Sequence, residues 1–255
     1  MSDVLVSRSG HVGIAEINRP PDNYFDKELI GDIAEAFDGF VASGSRAILL
    51  CAAGKNFCAG ANFARRTEEV LGSQEMPADH LYRHAVRLFR CPLPIVACVQ
   101  GAAVGGGLGL AMVGDFRVAS AQSRFSANFN RLGFHPGFGL SVTLPRVIGA
   151  QQAALLFYTG RRVPGDEAHA IGLVDLLAGD EELRGAALRL ATEIAQSAPL
   201  AVMATRETMR RGLCDAIEAA TERELVEQDW LRRTEDFKEG VKAMADRRLP
   251  DFKNR

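Results

Sequence analysis

The sequence predicts an α/β fold that closes with a helical segment. Three observations carry that prediction. Short strand-like runs at residues 47–51, 95–99 and 116–119 alternate with helix-period stretches. Glycine-containing turns follow two of those runs directly, in "GKNFCAGANF" (54–63) and "GAAVGGGLG" (101–109). From Glu181 onward helix formers dominate and no strand pattern returns.

The elements follow in order. Residues 4–8 and 12–17 alternate around Ser9-Gly10 and predict a β-hairpin. Asp26 caps a helix over 27–42, whose stripe is Leu29, Ile30, Ile33, Phe37 and Phe40. Residues 47–51 read as a fully apolar strand, and 67–78 as a polar, irregular surface segment. A helix is expected over 79–90, stopped by Pro92 and Pro94, with strands at 95–99, 116–119 and 123–130. Helices at 140–148 and 151–159 follow a glycine-rich turn, and Pro164, Asp166 and Glu167 open another before a strand at 173–176. The closing helices read as 181–196, 199–212, 213–231 and 235–246. The division expected is an α/β core over 1–195 and a helical segment over 196–255.

Composition narrows the function. A 47% hydrophobic chain of 255 residues can bury a full core. The net charge of −2 and the scattered arginine pairs give no nucleic-acid footprint. No apolar run approaches the ~18 residues that span a bilayer, and no signal peptide is read at the start, so a cytoplasmic protein without membrane contact is expected. Five cysteines without CxxC or a zinc-like Cys/His spacing read as free thiols, with no metal site.

The glycines raise the chemical question. A glycine-rich turn between strand and helix presents bare backbone N–H groups at a helix N-terminus, which suits an anion. A phosphate is disfavoured, because "GGGLG" lacks the Lys-Ser/Thr of a P-loop and fits GxGxxG poorly. Close packing of helix on strand is a second explanation for Gly105 to Gly107. The second turn, at 54–63, adds an independent donor. Two donors converging on one oxygen form an oxyanion hole, each worth roughly 2.7–4 kcal/mol to a transition state.

The fragments "INRP", "GKNFCAGAN", "PIVACVQGAAVGGGLGLAMVGDFRVA", "LGFHPGFG", "LPRVIG" and "TGRRVPGDEAHAIGLVD" occur in that order over nearly the whole chain. Together they resemble the crotonase (enoyl-CoA hydratase/isomerase) superfamily. The resemblance implies a spiral of ββα units, a C-terminal helical trimerisation segment, and a homotrimer or dimer of trimers. It implies an acyl-CoA thioester as ligand, no tightly bound cofactor, and coenzyme A present only as part of that thioester. The oxyanion donors it implies are the N–H groups of Ala61 and Gly106, where glycine would leave the ligand room. It places coenzyme A along Cys58, Ala59, Asn62 and Phe63, with Arg65 and Arg66 as phosphate partners.

The chain departs from the family where hydratases carry two glutamates. Those positions are Gly109 and Phe129. Proton transfer by such groups contributes roughly 10²–10⁴-fold, so the standard two-glutamate hydration is not expected. His135 is the candidate replacement base. Asn128 and Asn130, on one side of a strand if the alternation holds, can orient a water but not take a proton. Tyr82 and His84 read as an exposed helix face, Asp115 as structural, and Cys58 as a nucleophile without a matched histidine. Phe129, Phe134 and Phe138 fit an acyl pocket or the core. The expectation is enolate chemistry on a CoA thioester, by a hydratase or isomerase with a relocated base, a decarboxylase or a thioesterase. The rival is a non-catalytic acyl-CoA binding subunit.

Overall fold

The computed structural model describes residues 2–62 and 80–255. Its main sheet has six strands in the order β1-β2-β3-β4-β6-β9. β1 (Val4–Ser9) and β2 (Val12–Ile17) form the expected antiparallel hairpin at one edge. β3 (Ala47–Ala52), β4 (Ile95–Val99), β6 (Phe116–Ala119) and β9 (Leu176–Leu177) then add in parallel. Parallel neighbours need crossovers, and the glycine-rich turns lie in them. β3 and β4 are buried along their whole length, as strands covered on both faces must be.

One face carries the large core. There α1 (Lys27–Ala42) buries the predicted stripe, and Asp26 caps it by accepting the Leu29 N–H at 2.9 Å. α2 (Leu81–Arg90) packs beside α1 and inserts Leu88 and Phe89. The other face holds Val12, Ile14, Leu49, Cys51, Val96, Cys98 and Val118. Its cover is α7 (Leu183–Gln196), whose Leu183, Ala186, Ala187, Ala191 and Ala195 are buried there.

A second sheet of three strands, β5 (Ala102–Val104), β7 (Arg124–Ser126) and β8 (Val163–Pro164), runs beside the first. Single bridges extend it: Cys58 pairs with Ala103, and Phe25 with Ala61. Each crossover from the main sheet thus lays a short extended piece on this smaller layer, the repeating unit of a spiral.

α3 (Gly106–Ala111) follows β5, and a 3₁₀ turn (Asn128–Leu132) follows β7. Two strand expectations are corrected here. Only Arg124–Ser126 of the 123–130 stretch is a strand, so Asn128 and Asn130 do not share the face that strand alternation gave them. The 173–176 strand shortens to Leu176–Leu177, because the Leu173 and Val174 N–H groups both turn back to Ala168 O, at 2.8 and 3.1 Å.

α4 (Leu140–Ile148), α5 (Ala150–Thr159) and α6 (Gly165–Ala170) complete the α/β part. The closing helices are α8 (Pro199–Met209), α9 (Leu213–Leu231) and α10 (Glu235–Ala245). α9 packs on α2 and α4, and α10 on the 3₁₀ turn. α8 buries none of its residues. It is tied down by Arg206, whose Nε donates to Asp115 Oδ2 at 2.8 Å, and next to its end by Arg210, whose Nη1 donates to Oδ1 at 2.8 Å. Asp115 also accepts the Ile95 N–H, which fits the structural reading of that residue. No helix among the described residues is long and apolar enough to cross a membrane.

Candidate active site

The first donor segment runs from β3 to Ala61, and side-chain amides shape it. Asn23 is fully buried with φ +50. Its Nδ2 donates to Ala53 O at 2.7 Å and Asn56 O at 2.6 Å, and its Oδ1 accepts the Arg19 N–H at 2.8 Å. Asn56 in turn donates to Asp22 and accepts the Ala102 N–H at 3.0 Å. The chain then lies between two neighbours. Cys58 N–H donates to Ala102 O at 2.9 Å, Val104 N–H to Cys58 O at 3.1 Å, and Phe25 N–H to Gly60 O at 3.1 Å. Gly60 has φ +93, where side chains are disfavoured, and a Cβ on it would lie 2.7 Å from Val104 O.

The second donor segment is the start of α3. Gly105 has φ +56 and donates to Ser126 O at 2.8 Å. Gly106 is the first residue of the helix, so its N–H has no intrahelical acceptor. Neither the Ala61 N–H nor the Gly106 N–H makes a hydrogen bond among the described residues. The reason for the glycines is packing. A Cβ on Gly107 would sit 2.1 Å from Cys58 O, and one on Gly106 would sit 2.2 Å from Phe25 Cζ. The expected reason, room for a ligand at Gly106, is replaced: the side on which a Cβ would stand is filled by Phe25.

Aromatic rings fill the space at Gly109 and Phe129, the two positions where the family resemblance expects glutamates. A Cβ on Gly109 would lie 2.6 Å from Phe138 Cβ. Phe138 itself is buried with φ +64. It packs edge-on against Phe25, Tyr82 and Phe89, with ring centroids 5.9, 6.5 and 6.5 Å away. Phe129 is buried, with Cζ 3.8 Å from a Cβ position on Gly105, and it packs on Phe134 at 5.4 Å. Phe134 continues to Phe237, also at 5.4 Å. Of the two readings left open for Phe129, Phe134 and Phe138, acyl pocket or core, the structure places all three in the hydrophobic core.

The turn that carries Phe138 is clamped from α9. Gln228 donates from Nε2 to His135 O at 2.9 Å and accepts Tyr82 Oη at 3.1 Å. Glu224, fully buried, accepts the Gly139 N–H at 2.8 Å, the Ser141 N–H at 3.1 Å and the Ser141 hydroxyl at 2.5 Å. Burial raises its pKa above the ordinary 4.5, and these hydrogen bonds oppose the rise without cancelling it. Tyr82 is not on an exposed face, contrary to expectation. It is buried, and desolvation pushes its phenol well above the usual range.

The remaining candidates divide by exposure. Ala59, Ala61 and Asn62 are half-buried along one edge. Cys58 is fully buried, and burial raises its thiol to about 12, so it offers a ligand neither a surface nor a thiolate. His135 is half-buried, and its Nδ1 lies 2.8 Å from Pro136 O. Phe63, Arg65 and Arg66 lie outside the described residues, as does the 67–78 segment. Sequence reading missed Asn23, Phe25, Glu224 and Gln228. Glu224 and Gln228 leave one signal, two polar residues continuing the buried stripe Leu213, Ile217 and Thr221.

Among known proteins, the family model for enoyl-CoA hydratase/isomerase matches residues 8–255. A short-chain-enoyl-CoA hydratase of Clostridium acetobutylicum is 32% identical over 100% of this chain and 99% of its own. The 1,2-epoxyphenylacetyl-CoA isomerase of Escherichia coli is 29% identical over 92% of each. The crystal structure of an enoyl-CoA hydratase/isomerase from Pseudoalteromonas atlantica T6c superposes with TM-score 0.88 at 30% identity, covering 99% of this chain and 100% of that one. With its spiral of paired sheets and its helical C-terminal segment, this chain belongs to the enoyl-CoA hydratase/isomerase family, within the crotonase superfamily.

Proposed function

We propose that this protein binds an acyl-CoA thioester, holds the thioester oxygen on the N–H groups of Ala61 and Gly106, and turns the thioester over through its enolate without two-glutamate hydration. One observation carries the reading: two backbone donors without partners among the described residues stand at the ends of neighbouring segments, beside the Gly109 and Phe129 positions filled by apolar rings. As the enolate forms, negative charge gathers on that oxygen. Two fixed N–H dipoles stabilise it by roughly 2.7–4 kcal/mol each. Coenzyme A runs along Ala59, Ala61 and Asn62, with Phe63 and Arg65 further on.

His135 is the base proposed. The Pro136 carbonyl can only accept, so the neutral ring that satisfies this contact would carry its proton on Nδ1 and offer Nε2 as the basic nitrogen. The apolar filling at Gly109 supports a second reading, decarboxylation of a 2-carboxyacyl-CoA. Loss of CO₂ leaves the electron pair on the α-carbon and forms the enolate with no base. The homotrimer or dimer of trimers would use α8, whose Leu200 and Met209 are exposed.

The test is mass spectrometry of the purified protein in D₂O with enoyl-, saturated, 2-carboxyacyl- and aryl-CoA thioesters. Deuterium at the α-carbon, lost on His135→Ala, supports the relocated base. CO₂ loss that survives His135→Ala supports decarboxylation. Binding without conversion or exchange across the panel overturns the enzyme reading and leaves an acyl-CoA binding protein.

A further inference from the structure

We infer that Phe25 is a positioning residue that sets the spacing of the two N–H donors, because it touches both segments that carry them. The inference rests on the donor roles proposed above for Ala61 and Gly106.

The backbone of Phe25 acts on the first donor. Its N–H bonds to Gly60 O at 3.1 Å. Gly60 C=O and Ala61 N–H belong to one planar peptide unit and point in opposite directions. A bond that holds the oxygen therefore aims the Ala61 N–H away from the 22–25 segment. The ring of Phe25 acts on the second donor. The three heavy atoms nearest a Cβ position on Gly106 all belong to that ring, at 2.2, 2.4 and 3.4 Å. The Gly105 carbonyl, in the same peptide unit as the Gly106 N–H, is held by the Leu108 and Gly109 N–H groups at 3.0 and 3.2 Å. The ring thus packs on a first helical turn whose direction is already fixed, and sets how far that turn stands from Ala61.

Phe25 cannot retreat. It is buried, and Phe138 backs its ring at 5.9 Å. The ring that occupies the first glutamate position is therefore also the buttress of the donor pair. The other restraints, Cys58 O against Gly107 and Val104 O against Gly60, are backbone on backbone and are untouched by changes at residue 25.

The test reads the thioester carbonyl stretch of bound, isotope-labelled butanoyl-CoA and cinnamoyl-CoA by infrared difference spectroscopy, with Kd measured alongside. The wild type is expected to lower the frequency. Phe25→Ala keeps the backbone bond to Gly60 and removes only the ring. It should lose at least half of the shift while Kd changes less than about tenfold, and on any turned-over substrate kcat should fall by about 10²-fold. Phe25→Leu should recover part of the shift, and it decides the matter if Phe25→Ala does not fold. Phe37→Leu, an equally buried ring in α1, controls for general loosening and should keep the full shift. A full shift in Phe25→Ala, or an equal loss in Phe37→Leu, overturns the role of Phe25 and leaves the donors standing. If neither thioester binds, or neither carbonyl shifts in the wild type, the donor reading itself falls and this inference with it.

Discussion

The side chain of Phe138 stands where a side chain on Gly109 would have to grow: a Cβ there would come within 2.6 Å of Phe138 Cβ and 2.8 Å of its Cγ. Gly109→Glu, which sets a carboxylate where the family resemblance expects one, is therefore an overpacking mutation before it is a catalytic one. It should destabilise the fold by at least about 1–3 kcal/mol in urea unfolding and confer no hydration. Phe138→Gly also costs stability, but it opens the space and relieves a φ of +64. The double variant should be more stable than the sum of the two losses predicts, by about 1 kcal/mol or more. Strict additivity would show that the two positions do not compete.

Asn23 should matter more than its size suggests. Asn23→Gly keeps the left-handed backbone and removes only the amide, leaving the part-buried Ala53 and the buried Asn56 carbonyls without that donor. The expected loss is about 2–3 kcal/mol. Asn23→Asp, which sets an acceptor against two carbonyl oxygens, should lose more. Thermal melts of the three proteins check the order.

Asp115 holds two arginines that are themselves largely covered, with 11% and 14% of their side chains exposed. Asp115→Ala should cost about 3 kcal/mol. Its mark should be local, since α8 buries none of its own residues. Amide exchange should quicken across Pro199–Met209 while β3 and β4 stay protected. Uniform quickening would contradict this.

The buried carboxyl of Glu224 gives the fold a pH dependence with a definite sign. Its folded pKa lies above the ordinary 4.5. Its contribution is therefore fully present below that ordinary value and is lost as pH rises through the raised one. Glu224→Gln titrates nowhere in this range. In urea titrations from mildly acidic to neutral pH, the difference between variant and wild type should move in the variant's favour. A flat difference would sink the assignment.

Those residues also mark how far the sequence could be read. α1 was legible because its cap and its buried stripe are local, within one helical period. β3 and β4 were legible as short, fully apolar runs. The glycine turns marked where backbone N–H groups are laid bare, and the family resemblance singled out Ala61 and Gly106 among them. What stayed hidden was contact across distance. The family resemblance expects a glutamate at Gly109, but nothing near it in the chain says that Phe138 fills the space beside it. Phe25 sits in an unremarkable loop and gains its role only when the spiral folds it between two turns. Tyr82 read as surface because α9, which buries it, arrives 146 residues later at Gln228. The 173–176 strand shortened because α6 claimed its first two N–H groups, a competition that a pattern of apolar residues does not record.

The main sheet is covered unequally, and this gives the molecule an internal clock. One face shares a core with many elements, while the other relies on α7 and its small alanine contacts. Directly beneath that helix lie Cys51 and Cys98, whose thiols burial raises to about 12. While α7 is seated, an alkylating reagent meets neither sulfur. Each time it lifts, both sulfurs meet solvent together and revert to ordinary thiols. The slow, paired disappearance of these two cysteines under labelling would count the openings of a single helix in an otherwise folded protein.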